Sequence, residues 1–194
     1  MHVDIGNALA VEADPGLSKA ALDNLDGRVA DAHERIARGR ADDEFGYAAL
    51  NLPERTDLDA IEAAVAPVAN AEAVLTVGIG GSALGAKTIT RALETADGGD
   101  DGEDGDAAST VPHRVLDNVD PAHTRAVLEG LPLGETAVNA VSRSGTTAET
   151  LATFLVVRDA MEREGVDWTE RTIVTTGESG PLATLADSHD LPRL

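Results

Sequence analysis

The sequence predicts an α/β fold: a parallel sheet flanked by helices on both faces and preceded by N-terminal helices. Three observations lead there. From Ala73 onward, short aliphatic and β-branched runs alternate with longer stretches whose apolar residues recur at three- and four-residue steps. Two of the runs, VLTVGIGGSALGAKTIT (Val74 to Thr90) and VSRSGTTAET (Val141 to Thr150), pass from strand directly into a Gly- or hydroxyl-rich turn that opens a helix. Before Ala73 the periodicity is helical.

Leu22, Leu25, Val29, Ala32 and Ile36 mark a first helix entered after Asp14-Pro15-Gly16, and Ile61, Ala64, Val65 and Val68 form the stripe of a second helix following Asp57. Strands are expected at Val74–Ile79, His113–Val119, Thr136–Val141 and Thr172–Thr176, with helices at Ser82–Thr95, Pro121–Glu129, Thr146–Glu164 and Pro181–Asp187. Gly130 supplies the usual stop for the helix before it. Such alternation implies right-handed crossovers and a sheet covered on both faces. The organisation expected is a helical segment over residues 1–70 and a sheet domain over 71–194, without internal repeats. Aromatics are limited to Phe45, Tyr47, Phe154 and Trp168, so the core is built from Ala, Val, Leu and Ile.

Composition narrows the setting. Cysteine is absent, no apolar run reaches the length of a membrane span, and MHVDIGNALA lacks the basic and apolar regions of a signal peptide. A cytoplasmic protein with no membrane partner is expected. Acids outnumber bases 35 to 15, the net charge is −20, and Lys19 and Lys87 are the only lysines. The run DGGDDGEDGD from Asp97 to Asp106 reads as a flexible insert. The remaining acids are spread evenly with Arg scattered among them, which fits a halophilic cytoplasm in which screening over about 3 Å at 1 M salt removes self-repulsion. The sign of the charge disfavours nucleic-acid binding.

The two strand-to-helix turns have the chemistry of a phosphate cradle. The first N–H groups of a helix lack intrahelical partners and share their end with the positive pole of the dipole. Gly78, Gly80 and Gly81 let an anion approach them, and the hydroxyls of Ser82, Ser142, Ser144, Thr146 and Thr147 can donate to its oxygens. Thr146 and Glu149 also match a capping box, a reading compatible with the first. Two other motifs come near the Gly-rich turn. Gly78, Gly80 and Ala83 satisfy the dinucleotide fingerprint, with Asp117 as a ribose-binding acid beyond the expected spacing of about 20 residues. In a P-loop register, Lys87 stands one position too late after Gly80 and Gly85. No catalytic residue is assigned: Glu149, the only carboxylate in these turns, reads as a cap. His2, His33, His113, His123 and His189 lack metal-ligand spacing, and no metal site is assigned.

Together VGIGGSALGAK and VSRSGTTAET resemble the glucose-6-phosphate isomerase family, built on the sugar isomerase (SIS) phosphosugar-binding domain with its flavodoxin-like, Rossmann-like sheet. The resemblance runs roughly from Ala73 to Leu194. It implies a sugar-phosphate site at Gly81, Ser82, Ser142, Arg143, Ser144, Gly145, Thr146 and Thr147, with Arg143 where Lys is more usual. It also implies interconversion of glucose 6-phosphate and fructose 6-phosphate by proton transfer in glycolysis and gluconeogenesis, with neither metal nor organic cofactor, by a homodimer. In that family the chain continues into another strand, a Gly-Gly-Arg motif, a second SIS domain and the Glu, His and Lys of proton transfer. This sequence is therefore expected to be the N-terminal portion of a longer product, inactive by itself, with Leu191–Leu194 opening a fifth strand. The alternative is a stand-alone SIS module that binds a phosphosugar as a regulatory sensor.

Overall fold

The computed structural model describes residues 4–96 and 111–194, so the acidic run 97–106 lies outside the described residues. The chain divides into two compact units, Met1–Asp57 and Leu58–Leu194.

In the first unit the helix expected from the Leu22–Ile36 periodicity is split in two. Ser18 Oγ accepts from the Ala21 N–H at 3.1 Å and starts α1, Lys19–Asp23. The joint falls at Asn24-Leu25, where both residues keep helical angles but the Leu25 N–H donates to Leu22 O at 2.8 Å in a tighter turn, and α2 runs Asp26–Ala41. Asp26 in its first turn and Arg38 and Arg40 in its last complement the helix dipole. A 3-10 turn over Ala48–Asn51 leads into α3, Leu52–Arg55. Buried Asn51 ties these pieces together: its Nδ2 donates to Arg40 O and Asp43 Oδ1, and its Oδ1 accepts from Arg40 Nε at 2.7 Å. Ion pairs Arg35–Glu44, Arg40–Glu54 and Arg55–Asp43 surround it.

The second unit opens with α4, Leu58–Val65, which tightens into a 3-10 turn over Ala66–Val68 where Pro67 cannot donate. Then follow β1 (Ala73–Val77), α5 (Gly81–Ala96), β2 (His113–Leu116), α6 (Pro121–Glu129), β3 (Thr136–Ser142), α7 (Ala148–Arg163), β4 (Thr172–Thr176) and α8 (Pro181–Ser188). The sheet is parallel throughout, in the order β2-β1-β3-β4. Beyond β4 the chain returns to pair with it. The Val174 N–H donates to Pro192 O, Leu194 N–H to Val174 O and Thr176 N–H to Leu194 O, each at 2.9 Å, so the stretch expected to open a fifth strand makes an isolated parallel bridge to β4 at Arg193.

Two strands stop earlier than expected. β1 ends at Val77 because the chain turns through Gly80 at φ 56°, and β2 ends at Leu116 because Asn118 Oδ1 accepts from the Asp120 N–H in a side-chain turn that feeds α6. Asp120 caps α6 by accepting from the His123 N–H at 2.7 Å. Gly130 closes that helix as expected, although at φ −93° it makes no left-handed exit.

The main core lies on one face. Leu75, Val77, Val138, Ala140 and Val174 of the sheet meet Phe154, Val157 and Met161 of α7 and Leu182 and Ala186 of α8. Trp168 closes one end, with its ring 5.8 Å from Phe154 in an edge-on arrangement. Burial of each large side chain there contributes about 1.5–3 kcal/mol. The other face is thinner: Val68, Ala137 and Ile173 form a small cluster, and Thr175 Oγ1 donates to Asn139 Oδ1 at 3.0 Å.

Candidate functional site

The strand order fixes where a ligand can sit. β1 connects through α5 to β2 on one side, whereas β3 connects through α7 to β4 on the other, so the connections part between the carboxyl ends of β1 and β3. Right-handed crossovers then put α5 and α7 on opposite faces, with both N-termini facing that crevice. The two turns singled out in the sequence are the two that border it. They touch: a Cβ on Gly78 would come within 3.0 Å of Val141 O and 3.1 Å of Ser82 Cβ, an approach that only glycine permits.

The Gly-rich turn is made of backbone. Gly80 takes the left-handed conformation, its carbonyl accepts from the Ala83 N–H (3.0 Å) and Leu84 N–H (2.9 Å), and α5 starts at Gly81 rather than Ser82. Neither Gly80 nor Gly81 has a neighbour within 4 Å of where a Cβ would stand, so the approach to the start of α5 is open, while the Ser82 N–H already donates to Ile79 O at 3.2 Å. Ser82 is half-buried and Ala83 buried beneath it.

The second turn is made of hydroxyls and is braced. Ser142, the last residue of β3, is 1% exposed, and its Oγ lies 3.0 Å from Thr147 Oγ1. Ser144 Oγ accepts from both the Thr146 N–H (3.2 Å) and Thr146 Oγ1 (3.0 Å). The capping box expected from Thr146 and Glu149 does not form: α7 is capped by Thr147, without a side-chain hydrogen bond, because its hydroxyl is turned toward Ser142. The opening N–H groups of α7 therefore carry no side-chain cap and are available to an anion. Arg143, Ser144 and Thr146 are exposed, Thr147 is half-buried, and Gly145, at φ 65°, is buried. Behind them Thr150 is 1% exposed, and its hydroxyl has no protein partner among the described residues.

The brace comes from the β4–α8 connection, which sequence reasoning missed. Thr176 Oγ1 donates to Ser142 O at 2.7 Å, the Gly177 N–H to Arg143 O at 3.2 Å and the Leu182 N–H to Gly145 O at 3.1 Å. Gly180, at φ 112°, lies so close that a Cβ would come within 2.9 Å of Ser144 O. A glycine next to Pro181 at the start of a helix was the signal available.

The crevice is lined by hydroxyls and helix N-termini, and its acids are few among the described residues. Glu149, the carboxylate of these turns, is exposed at the second position of α7. Asp117, the acid considered for a ribose, instead pairs with Lys87 at 3.3 Å. Among the described residues no group of His, Asp or Glu is arranged to hold a metal ion, and no helix is long and apolar enough to cross a membrane.

Comparison with known proteins places the chain in a family. The family model for phosphoglucose isomerase matches residues 62–177, more than half of the chain, and both turns lie within it. A probable glucose-6-phosphate isomerase of Haloarcula marismortui is 65% identical over the full chain, which spans 42% of that relative. Among solved structures, a hypothetical protein of Thermus thermophilus superposes with a TM-score of 0.71 at 32% identity, covering 90% of this chain and 40% of that one. A glucose-6-phosphate isomerase of Chlamydia trachomatis superposes with a TM-score of 0.53 at 27% identity, covering 70% of this chain and 24% of that one. The chain spans less than half the length of these relatives, and it belongs to the phosphoglucose isomerase family.

Proposed function

We propose that this chain supplies the phosphate-binding part of a glucose-6-phosphate isomerase that interconverts glucose 6-phosphate and fructose 6-phosphate. The carrying observation is the meeting of two helix N-termini, that of α7 without a side-chain cap, and their hydroxyl and glycine turns at one crevice. Gly81, Ser82, Ser142, Arg143, Ser144, Gly145, Thr146 and Thr147 hold the phosphate: the backbone N–H groups and hydroxyls donate, and Arg143 adds a charged fork. The binding domain is residues 71–194. The reaction moves a proton between adjacent carbons, which requires a base near the carbonyl end of the sugar. With Glu149 exposed in the first turn of α7, these residues position the substrate and do not move the proton. Turnover therefore belongs to the longer homodimeric protein, and a coupled assay on these 194 residues alone is expected to read blank.

The phosphate assignment is tested by calorimetry in concentrated KCl with fructose 6-phosphate and fructose. The phosphorylated sugar is expected to bind and fructose not. A Ser144→Ala/Thr147→Ala variant should weaken binding by about 10²-fold, since each hydrogen bond to a charged group contributes roughly 1.5–3 kcal/mol. Equal binding of both sugars, or undiminished binding by the variant, overturns the assignment.

The acidic, Lys-poor surface supports a cytoplasm of high salt as the working environment, consistent with the 65% identical Haloarcula relative. Thermal melts across a KCl series should show the midpoint rising steeply with salt, because repulsion at −20 is unscreened in dilute buffer. A midpoint independent of salt would refute this setting.

A further inference from the structure

A hydroxyl shut away from water without a partner costs stability, and the Thr150 hydroxyl is in that position: the residue is 1% exposed, third in α7, and unpartnered among the described residues. A threonine inside a helix usually bonds the carbonyl one turn back. Here the residue four back is Thr146, which lies in the loop ahead of the cap, so that remedy is missing. Helix geometry aims the group at the crevice. Side chains lean toward the N-terminus of their helix, so Thr150 covers the turn that opens α7. The cap residue and the third residue of a helix face each other, which is why capping boxes form between them, and the cap here is Thr147. Thr147 is half-buried, and its Oγ1 lies 3.0 Å from Ser142 Oγ. Each hydroxyl has a single proton, so this pair spends one proton internally and keeps one for an anion.

We propose that Thr150 is a positioning residue of this crevice that acts through Thr147: when an anion accepts the Thr147 proton, the Thr150 hydroxyl donates to Thr147 Oγ1. The inference rests on the phosphate reading of the crevice and adds a residue to it. Threonine keeps two side-chain rotamers in a helix, so the hydroxyl turns toward Thr147 about a single bond. The proton count then changes. Thr147 Oγ1 accepts from Thr150 in place of Ser142, and the Ser142 and Thr147 protons both go to the anion. Hydrogen bonds in such a row polarise one another, so a Thr147 hydroxyl that accepts from Thr150 donates more strongly. The opening N–H groups of α7 stay available, because no side chain caps them. Such a group destabilises the free protein and strengthens the complex, so its removal moves the two measurements in opposite directions.

Thr150→Val removes the hydroxyl at nearly the same shape, and Thr150→Ser keeps it while losing a methyl group. Denaturant unfolding of the free protein and calorimetry with fructose 6-phosphate and with inorganic phosphate, all in concentrated KCl, read the outcome. Thr150→Val is expected to raise the unfolding midpoint and to weaken both ligands about two- to tenfold, the effect of one hydrogen bond. Thr150→Ser is expected to lower the midpoint, through the cavity it leaves, and to keep the affinity. In a Thr147→Ala background, Thr150→Val should change affinity no further, because its partner is gone. Unchanged affinity in Thr150→Val, an equal loss in Thr150→Ser, or additive losses in the double variant overturns the proposal. A lowered midpoint together with weaker binding in Thr150→Val also overturns it, since a purely structural hydroxyl moves both the same way. Absence of binding by the unsubstituted chain overturns the crevice reading itself, whereas binding sensitive to Ser144→Ala/Thr147→Ala and indifferent to Thr150→Val overturns this inference alone.

Discussion

The turns after β1 and β3 border the same crevice and open helices on opposite faces, but they are built differently. The first uses glycine and empty space: Gly80 and Gly81 have nothing near them, and what the turn offers is bare backbone. The second uses hydroxyls fixed to one another and to the β4–α8 connection, with Gly145 and Gly180 where no side chain would fit. An anion approaching the first turn needs room, whereas at the second it needs donors held in place. Substitution should therefore act through access at one turn and through geometry at the other.

The largest expected effect is at the brace. Gly180→Ala places a methyl group within 2.9 Å of Ser144 O at a φ of 112°, so either the loop moves or the backbone strains. Strain of this kind costs about 1–3 kcal/mol. Denaturant unfolding should show that loss, and fructose 6-phosphate affinity should fall by more than about tenfold as the hydroxyls lose register. Retained affinity in a destabilised protein would mean that the loop finds its geometry without the brace.

Gly81→Ala makes the opposite test. Its φ is not positive and no atom lies within 4 Å, so the folded state accepts the methyl group, and the gain in helix propensity is worth up to about 1 kcal/mol. The methyl group stands where the anion must approach the first N–H groups of α5. Stability unchanged or raised, with affinity lowered about tenfold, is the expected pair of results. If affinity is also unchanged, the first turn does not contact the phosphate, and the crevice binds through Ser142–Thr147 alone.

The same contrast shows what could be read from the sequence. The four strands, their helices and the crossover pattern were legible because strand-to-helix alternation is a local signal, and β4 and α6 carry the expected bounds. Both turns were legible because glycines and clustered hydroxyls at a strand end have few other uses. Contacts made between distant residues were not. Thr176 and Gly180 lie about 35 residues from the loop they brace, and nothing near Ser142 announces them. The capping box failed for the same reason: Thr146 and Glu149 have the right spacing, but buried Ser142 claims the Thr147 hydroxyl and resets the start of α7.

The smallest effect lies at the other end of the same two strands. Glu72 precedes β1 and Glu135 precedes β3, and the Glu72 N–H donates to Glu135 O at 2.8 Å, which brings two carboxyl groups together on the surface. Hydrogen bonding to Glu135, and then its charge, hold the Glu72 carboxyl above the ordinary glutamate value. A raised carboxyl favours the folded state while protonated, so this contribution is full below the unfolded glutamate value and is lost as pH rises through the raised one. Glu135→Gln should flatten the pH dependence of unfolding across that window and leave the protein slightly more stable at neutral pH. Fructose 6-phosphate affinity should not change, because the pair sits at the amino ends of β1 and β3 and the crevice at their carboxyl ends. A change in affinity equal to that of Gly81→Ala would show that the two ends of these strands are coupled, and that the difference between the turns is not a local property of their residues.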